Sequence, residues 1–285
     1  MKTIRIIFAL AIFSGNILLC SAQKPSTVLD GIYIKEHAPA RKVVPYTHLR
    51  EADVMWYKRI WREIDLREKI NHPMYYPTTE INDRKSLFDV IKDAMLNDGT
   101  ISPYSVGALG TDDEFTQQLT IDELKSLLSK TDTQYVEDIN TGEQIPKLVQ
   151  NDITTDKVKR YRLKEEWFFD KQKSVQEVRI IGIAPMIEQF NQQQESLGYK
   201  PLFWIYFPEA RFVFANTIVF NRANDAERRT YEDIFWKRQF GSFIIKENNV
   251  YDRGINEYKV GLDALLEAEK IKEDIFNMEH DLWNF

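Results

Sequence analysis

Leu202-Phe203-Trp204-Ile205-Tyr206-Phe207 is an unbroken apolar and aromatic row of the length of a typical strand. A strand with no polar face needs cover on both sides, so a chain that holds one must build layers over it. Two further β-prone stretches, Tyr161 to Phe169 and Val175 to Ile183, precede it, and Pro185 and Pro208 are expected to limit these strands. The cover is legible at the far end of the chain. Ala264, Ala268, Ile271, Ile275, Met278 and Leu282 alternate spacings of four and three, with Glu, Lys and Asp between them, which predicts an amphipathic helix over 264–283 with one continuous seam. The fold class that follows is α+β, a mixed sheet with flanking helices and a long amphipathic C-terminal helix. The strands at 175–183 and 202–207 are expected to be central, with the helix packed on the sheet.

The start of the chain reads as an address. Lys2 and Arg5 precede an apolar run from Ile6 to Cys20, and Ser21-Ala22 offers a small-residue cleavage site, so 1–22 is expected to be a secretory signal peptide. Leu19 before Cys20 is not the small residue that normally precedes a lipidated cysteine, which favours cleavage after Ala22. Cleavage removes the single cysteine and moves the formal charge from −6 to −8. A moderately acidic chain without cysteine forms no disulfide and is a poor match for sequence-independent nucleic-acid binding. Residues 23–45, with Pro25, Pro39 and Pro45, read as an extended arm that orders against a neighbouring subunit, and 46–285 as the globular domain.

Within that domain, Arg50 to Pro77 holds the densest mix of aromatic and charged residues. Ala52, Trp56, Ile60 and Ile64 fall four apart, with Tyr57 and Trp61 on the neighbouring arc, which predicts an opening helix. Trp56 and Ile60 are expected to face the core, and Tyr57, Arg59 and Trp61 to meet another polypeptide, because Trp, Tyr and Arg are enriched at interface hot spots. Phe276 and Trp283, flanking the C-terminal seam, and Trp167 are candidates for the same reason. Ser86 is placed to cap a helix from Leu87 to about Asn97, and Thr120 with Glu123 has the order of a capping box. Residues 211–220 are ambiguous, 227–240 read as helix and 242–245 as strand. About 129–157 is polar and reads as loop, with at most a short strand at 134–136. Asp53-Val54-Met55-Trp56 and Asp233-Ile234-Phe235-Trp236 echo one another, which leaves two related lobes or a chance match.

Catalytic signals are sparse. His37, His48, His72 and His280 share no helical ligand spacing, and there is no metalloprotease, nucleotide-loop or nucleophile-elbow sequence, so no cofactor or metal is expected. The one enzymatic candidate is the group Glu165, Glu166 and Asp170 around Trp167-Phe168-Phe169. Paired carboxylates beside sugar-stacking rings would suit a periplasmic carbohydrate-binding or glycoside-hydrolysing protein. Acids around an aromatic strand are more commonly its solvated edge.

Five stretches, in order, carry a family resemblance. They are 50–77 (READVMWYKRIWREIDLREKINHPMYYP), 164–172 (KEEWFFDKQ), 178–185 (VRIIGIAP), 202–209 (LFWIYFPE) and 279–283 (EHDLW). Together they resemble the gliding-motility GldN (PorN) family of the Bacteroidetes type IX secretion system. The resemblance implies a non-enzymatic periplasmic part of that machinery. It also implies assembly in many copies into a ring with an outer-membrane lipoprotein of the GldK/PorK type, and contact with the periplasmic portion of an inner-membrane motor protein of the GldM/PorM type. It implies no catalytic residue.

Overall fold

The structure, a computed structural model, describes residues 41–282 apart from 82–83, 109, 138–143, 192, 194, 222–223 and 225–226. The expected signal peptide, most of the expected arm and Trp283 lie outside the described residues. In chain order the elements are β1 (Val54–Asp65), α1 (His72–Tyr75), α2 (Leu87–Leu96), β2 (Pro103–Tyr104), α3 (Ile121–Leu128), β3 (Ser129–Glu137), β4 (Gln144–Asp152), β5 (Val158–Asp170) and β6 (Val175–Phe190). They continue with β7 (Ser196–Pro201), β8 (Trp204–Tyr206), α4 (Phe207–Asn216), β9 (Ile218–Val219), β10 (Arg229–Thr230), α5 (Tyr231–Trp236), β11 (Phe243–Glu247) and α6 (Leu262–Asp281).

The expected α+β class holds. The main sheet runs β11-β1-β5-β6-β8-β2, with β7 also paired to β6, and its ladders are antiparallel. Expected caps are in place. Ser86 accepts from the Asp89 backbone at 3.1 Å, and Thr120 and Glu123 form the reciprocal box that opens α3. The two halves of the echo part company, one being β1 and the other α5, so they are not a structural repeat.

The opening stretch is a strand, not a helix. A spacing of four is two strand repeats, so Trp56, Ile60 and Ile64 share a face in either element. The alternation was disguised because Lys58 and Arg62 occupy the inward positions between them, and Trp61, Glu63 and Asp65 on the other face are buried too. Long antiparallel partners on both sides, β5 and β11, then decide the matter by supplying the backbone bonds.

Other boundaries also move. β6 continues through Pro185 to Phe190. The Pro185 carbonyl accepts from Leu202 on the β7–β8 side, so the missing N–H points to the gap where β6 changes partner, from β8 up to Ile183 to β7 from Met186. The run 202–207 is strand only at 204–206, in the last strand but one. Pro208 does not simply end it; it sits in the first turn of α4, where no backbone donor is needed. The polar segment 129–157, read as loop, holds the hairpin β3–β4, paired from Ser129–Asp152 to Glu137–Gln144. Its backbone pairing joins two stretches of mostly polar sequence that periodicity does not mark as strands.

One face of the sheet is covered by helices. Ile64, Tyr161, Leu163, Ile180 and Ile183 pack with Phe88 and Ile91 of α2, Phe214 of α4 and Phe235 of α5. Ile180 and Ile183 share this face because a bulge opposite Lys164 and Glu165 shifts the register between them. Along the same face, Ile60 and Ile244 meet Ala264, Ala268, Ile271 and Ile275 of α6, with Trp56 and Trp167 at the margin. The seam read from the sequence is buried as far as Ile275, while Met278 and Leu282 beyond it are only half-buried, and each buried isoleucine contributes roughly 1.5–3 kcal/mol by leaving water.

Candidate interaction surfaces

Alternation along β1 and β5 sends neighbouring residues to opposite faces, and the face turned away from the main core is polar. Arg59 reaches Glu166 at 2.6 Å, Glu63 is held by Arg160 at 3.0 Å and by Arg162 at 2.7 Å, and Asp65 lies 3.5 Å from Arg160. Tyr57 donates to Glu166 at 2.8 Å. Burial and that bond to a carboxylate push its phenol up to about 12. Arg67 grips Asp65 at 2.5 Å and so holds its carboxyl below the usual range.

A loop from 105 to 118 closes the middle of this face. Asp113 accepts from the Trp61 indole N–H through one oxygen and from Lys164 Nζ at 3.1 Å through the other, while its carbonyl takes Lys164 Nζ at 2.7 Å. The tip of the Phe115 ring reaches Gly182, where an added Cβ would come within 2.5 Å of it. Trp61 is thus 5% exposed and packs with Val106, Ala184 and Trp204. It is a core residue of the second face and not a surface anchor, contrary to its expected role. The signal for Asp113 in the sequence is no more than a polar Gly-Thr-Asp-Asp turn; nothing local pairs it with Trp61.

Glu165 and Glu166, the carboxylates offered for catalysis, point to opposite faces. Glu165 is fully buried under the helices, 2.9 Å from Arg238 and 3.4 Å from Arg62, and accepts from the Trp167 indole at 3.1 Å. Burial draws the Arg62 guanidinium below its usual value, with Glu165 opposing. Asp170 is a turn cap that accepts from the backbone of Gln172 and Lys173. A sheet lies between the two glutamates, so they cannot flank one glycosidic bond. Phe168 and Phe169 are buried and Trp167 is stacked beneath Arg238, so these rings present no sugar platform. Among the described residues no cluster of His, Cys, Asp and Glu could hold a metal ion.

Residues 41–47 form a strap that sequence reading missed. They run extended across α4, α5 and the start of β6, fixed at both ends. Arg41 reaches Asp233 at 2.7 Å and its backbone N–H donates to Asn216, while Thr47 takes Lys173 on its hydroxyl and Arg179 on its carbonyl. Between these anchors Tyr46 stacks on Trp236, with the Arg211 and Arg179 guanidiniums 4.2 and 5.0 Å from its ring. Glu232 in turn holds Arg211 at 2.7 Å. The strap roofs a cavity of about 380 Å³ lined by Val44, Arg179, Phe207, Glu232 and Phe235. The arm is therefore bound to its own domain from Arg41 onward.

Among the described residues several features remain open to solvent. Tyr57, at 43% exposure, and Arg59 lie at the edge of the polar face. α6 turns Leu262, Leu265, Leu266 and Phe276 outward, away from its seam. A groove of about 490 Å³ lies between Pro73, Tyr76, Pro77, Ile81 and Phe220, rimmed by Lys69, His72 and Arg84. Of the expected interface residues, Tyr57, Arg59 and Phe276 are accessible, Tyr57 and Arg59 side by side on Glu166, whereas Trp61 and largely Trp167 are built into the domain.

These features define an α+β domain with both sheet faces closed by its own chain and with apolar anchors left on helices and loops. The chain belongs to the GldN family: the family model described as Gliding motility associated protein GldN matches residues 49–284. It is accordingly a component of gliding motility and type IX secretion. No curated protein matches it. Among the described residues no helix is long and apolar enough to cross a membrane.

Proposed function

We propose that this chain is a periplasmic structural component of the type IX secretion and gliding machinery. In this reading it assembles in many copies with an outer-membrane lipoprotein of the GldK/PorK type and meets the periplasmic part of a GldM/PorM-type inner-membrane motor protein. The observation that carries the reading is the family match over 49–284; the export leader expected at 1–22 would bring the chain to the periplasm. The exposed apolar stripe at the start of α6 supports it, since Leu262, Leu265 and Leu266 lie within one turn and about 60–70% exposed. Size-exclusion chromatography of the chain alone and mixed with its lipoprotein tests the reading. A large shared complex is expected, weakened by Leu265→Glu with Leu266→Glu at unchanged melting temperature. No shared complex under any mixing ratio overturns the reading.

A further inference from the structure

We propose that the groove beside Tyr76 receives the last turns of α6 from a second copy of the chain, an inference that rests on the multi-copy reading above. The groove has an apolar floor and a basic rim. Arg84 lies 4.9 Å over the Phe220 ring, and no carboxylate among the described residues comes within ion-pair distance of Arg84, Lys69 or His72. Three other guanidiniums beside rings are neutralised, Arg160 by Glu63, Arg211 by Glu232 and Arg238 by Glu165, whereas Arg253, 4.8 Å from the Tyr251 and Tyr258 rings, shares with Arg84 the lack of an ion-pair partner among the described residues. A cation left over an aromatic floor is complementary to an apolar side chain with a carboxylate close by.

The end of α6 has that composition. Phe276 is 67% exposed, Glu279 follows one turn later on the same side, and Asp281 is exposed beyond it. Acids in a last turn oppose the helix dipole, and His280 is the single base there. Lys69 and Arg84 would relieve that mismatch while Phe276 enters the floor between Pro73, Tyr76 and Phe220. The chain as a whole is acidic, so copies repel in general, and this rim is a place where an acidic end of a copy is drawn in. Groove and helix end are different patches, which makes the contact head-to-tail, the kind that closes into a ring or runs on as a filament.

Charge exchange tests it. Sedimentation velocity is run on the chain, on Lys69→Glu with Arg84→Glu, on Glu279→Lys with Asp281→Lys, and on the four changes together. Each pair alone should weaken self-association about tenfold or more, and the fourfold variant should recover most of it. The α6 pair improves the dipole match, so its loss of association with an unchanged or higher melting temperature cannot be unfolding. A wild-type chain that stays monomeric, either pair without effect, or no recovery on exchange overturns the proposal. Co-elution with the lipoprotein is followed in parallel. Rim variants that keep it while losing self-association support the proposal, whereas rim variants that lose it and still self-associate give the groove to that partner and overturn the proposal. Loss of co-elution by every chain, wild type included, is instead failure of the functional reading.

Discussion

The two faces of the β1–β5 ladder are closed by opposite means. On one, Trp56, Ile60, Ile64, Tyr161 and Leu163 lie under helices. On the other, Arg59 pairs with Glu166, while Glu63, Asp65, Arg160, Arg162 and Lys164 pair among themselves and with Asp113, beneath a loop whose described residues over 105–116 hold no helix or strand. Apolar packing tolerates changes of detail if volume is kept, whereas a buried ionic network depends on every member. Loss should therefore be abrupt where a buried charge or its partner is cut, on the polar face or under the helices, and gradual within the apolar layer.

Trp61 is where that contrast should be largest. Cutting it to Ala should cost about 3–5 kcal/mol for the lost aromatic volume, and it leaves the Asp113 carboxylate short of a donor. Urea unfolding should show the midpoint fall with little change in slope. If the variant unfolds at the wild-type midpoint, the loop does not close this face and Trp61 regains its place as a surface candidate.

Neighbouring glutamates sharpen the comparison. Glu165→Ala strands Arg62 beneath the helices and should cost on the order of 3 kcal/mol, the lower end for a broken buried pair because Arg238 is partly exposed. Glu166→Ala removes a half-exposed pair with Arg59 and a bond from Tyr57, and should cost about 0.2–1 kcal/mol. Thermal denaturation of the two variants side by side decides it. Equal losses would mean that burial does not set the cost of breaking these pairs.

Much of the helical layer was legible because its signals are local. Ser86, Thr120 and the seam from Ala264 to Ile275 announce themselves within a few residues. The polar face was not, because its partners are distant in sequence. Trp61 finds Asp113 across fifty-two positions and Glu63 finds Arg162 across ninety-nine. β1 was misread for the same reason: with both faces buried, its apolar residues no longer alternate with polar ones, and what remained was a spacing of four that two periods share. Among candidate interface residues, Phe276 could be picked because a helix seam defines its own outside. Trp61 could not, because what covers it is a loop with no periodicity.

The strap offers the smallest effect, with a sign fixed by Asp233. Burial pushes this carboxyl up, but the bonds from Arg41 and from the Thr230 backbone and hydroxyl outweigh it, so the folded value lies below the usual one. A depressed carboxylate contributes stability above the unfolded value of about 3.9, and the contribution is lost as pH falls through the lower folded value. Acid should thus release Arg41 and loosen Tyr46 from Trp236 before the sheet unfolds. Arg41 is about half exposed, so the anchor is worth well under 1 kcal/mol in water. Tryptophan emission recorded against a Trp236→Phe background should show a transition below about pH 4 that far-ultraviolet circular dichroism does not share. Asp233 also caps α5, so Arg41→Gln is the cleaner variant: it should show the loosened emission already at neutral pH, with its acid transition reduced. An Arg41→Gln emission titration superimposable on the wild type would mean that the strap is held by its aromatic stack alone.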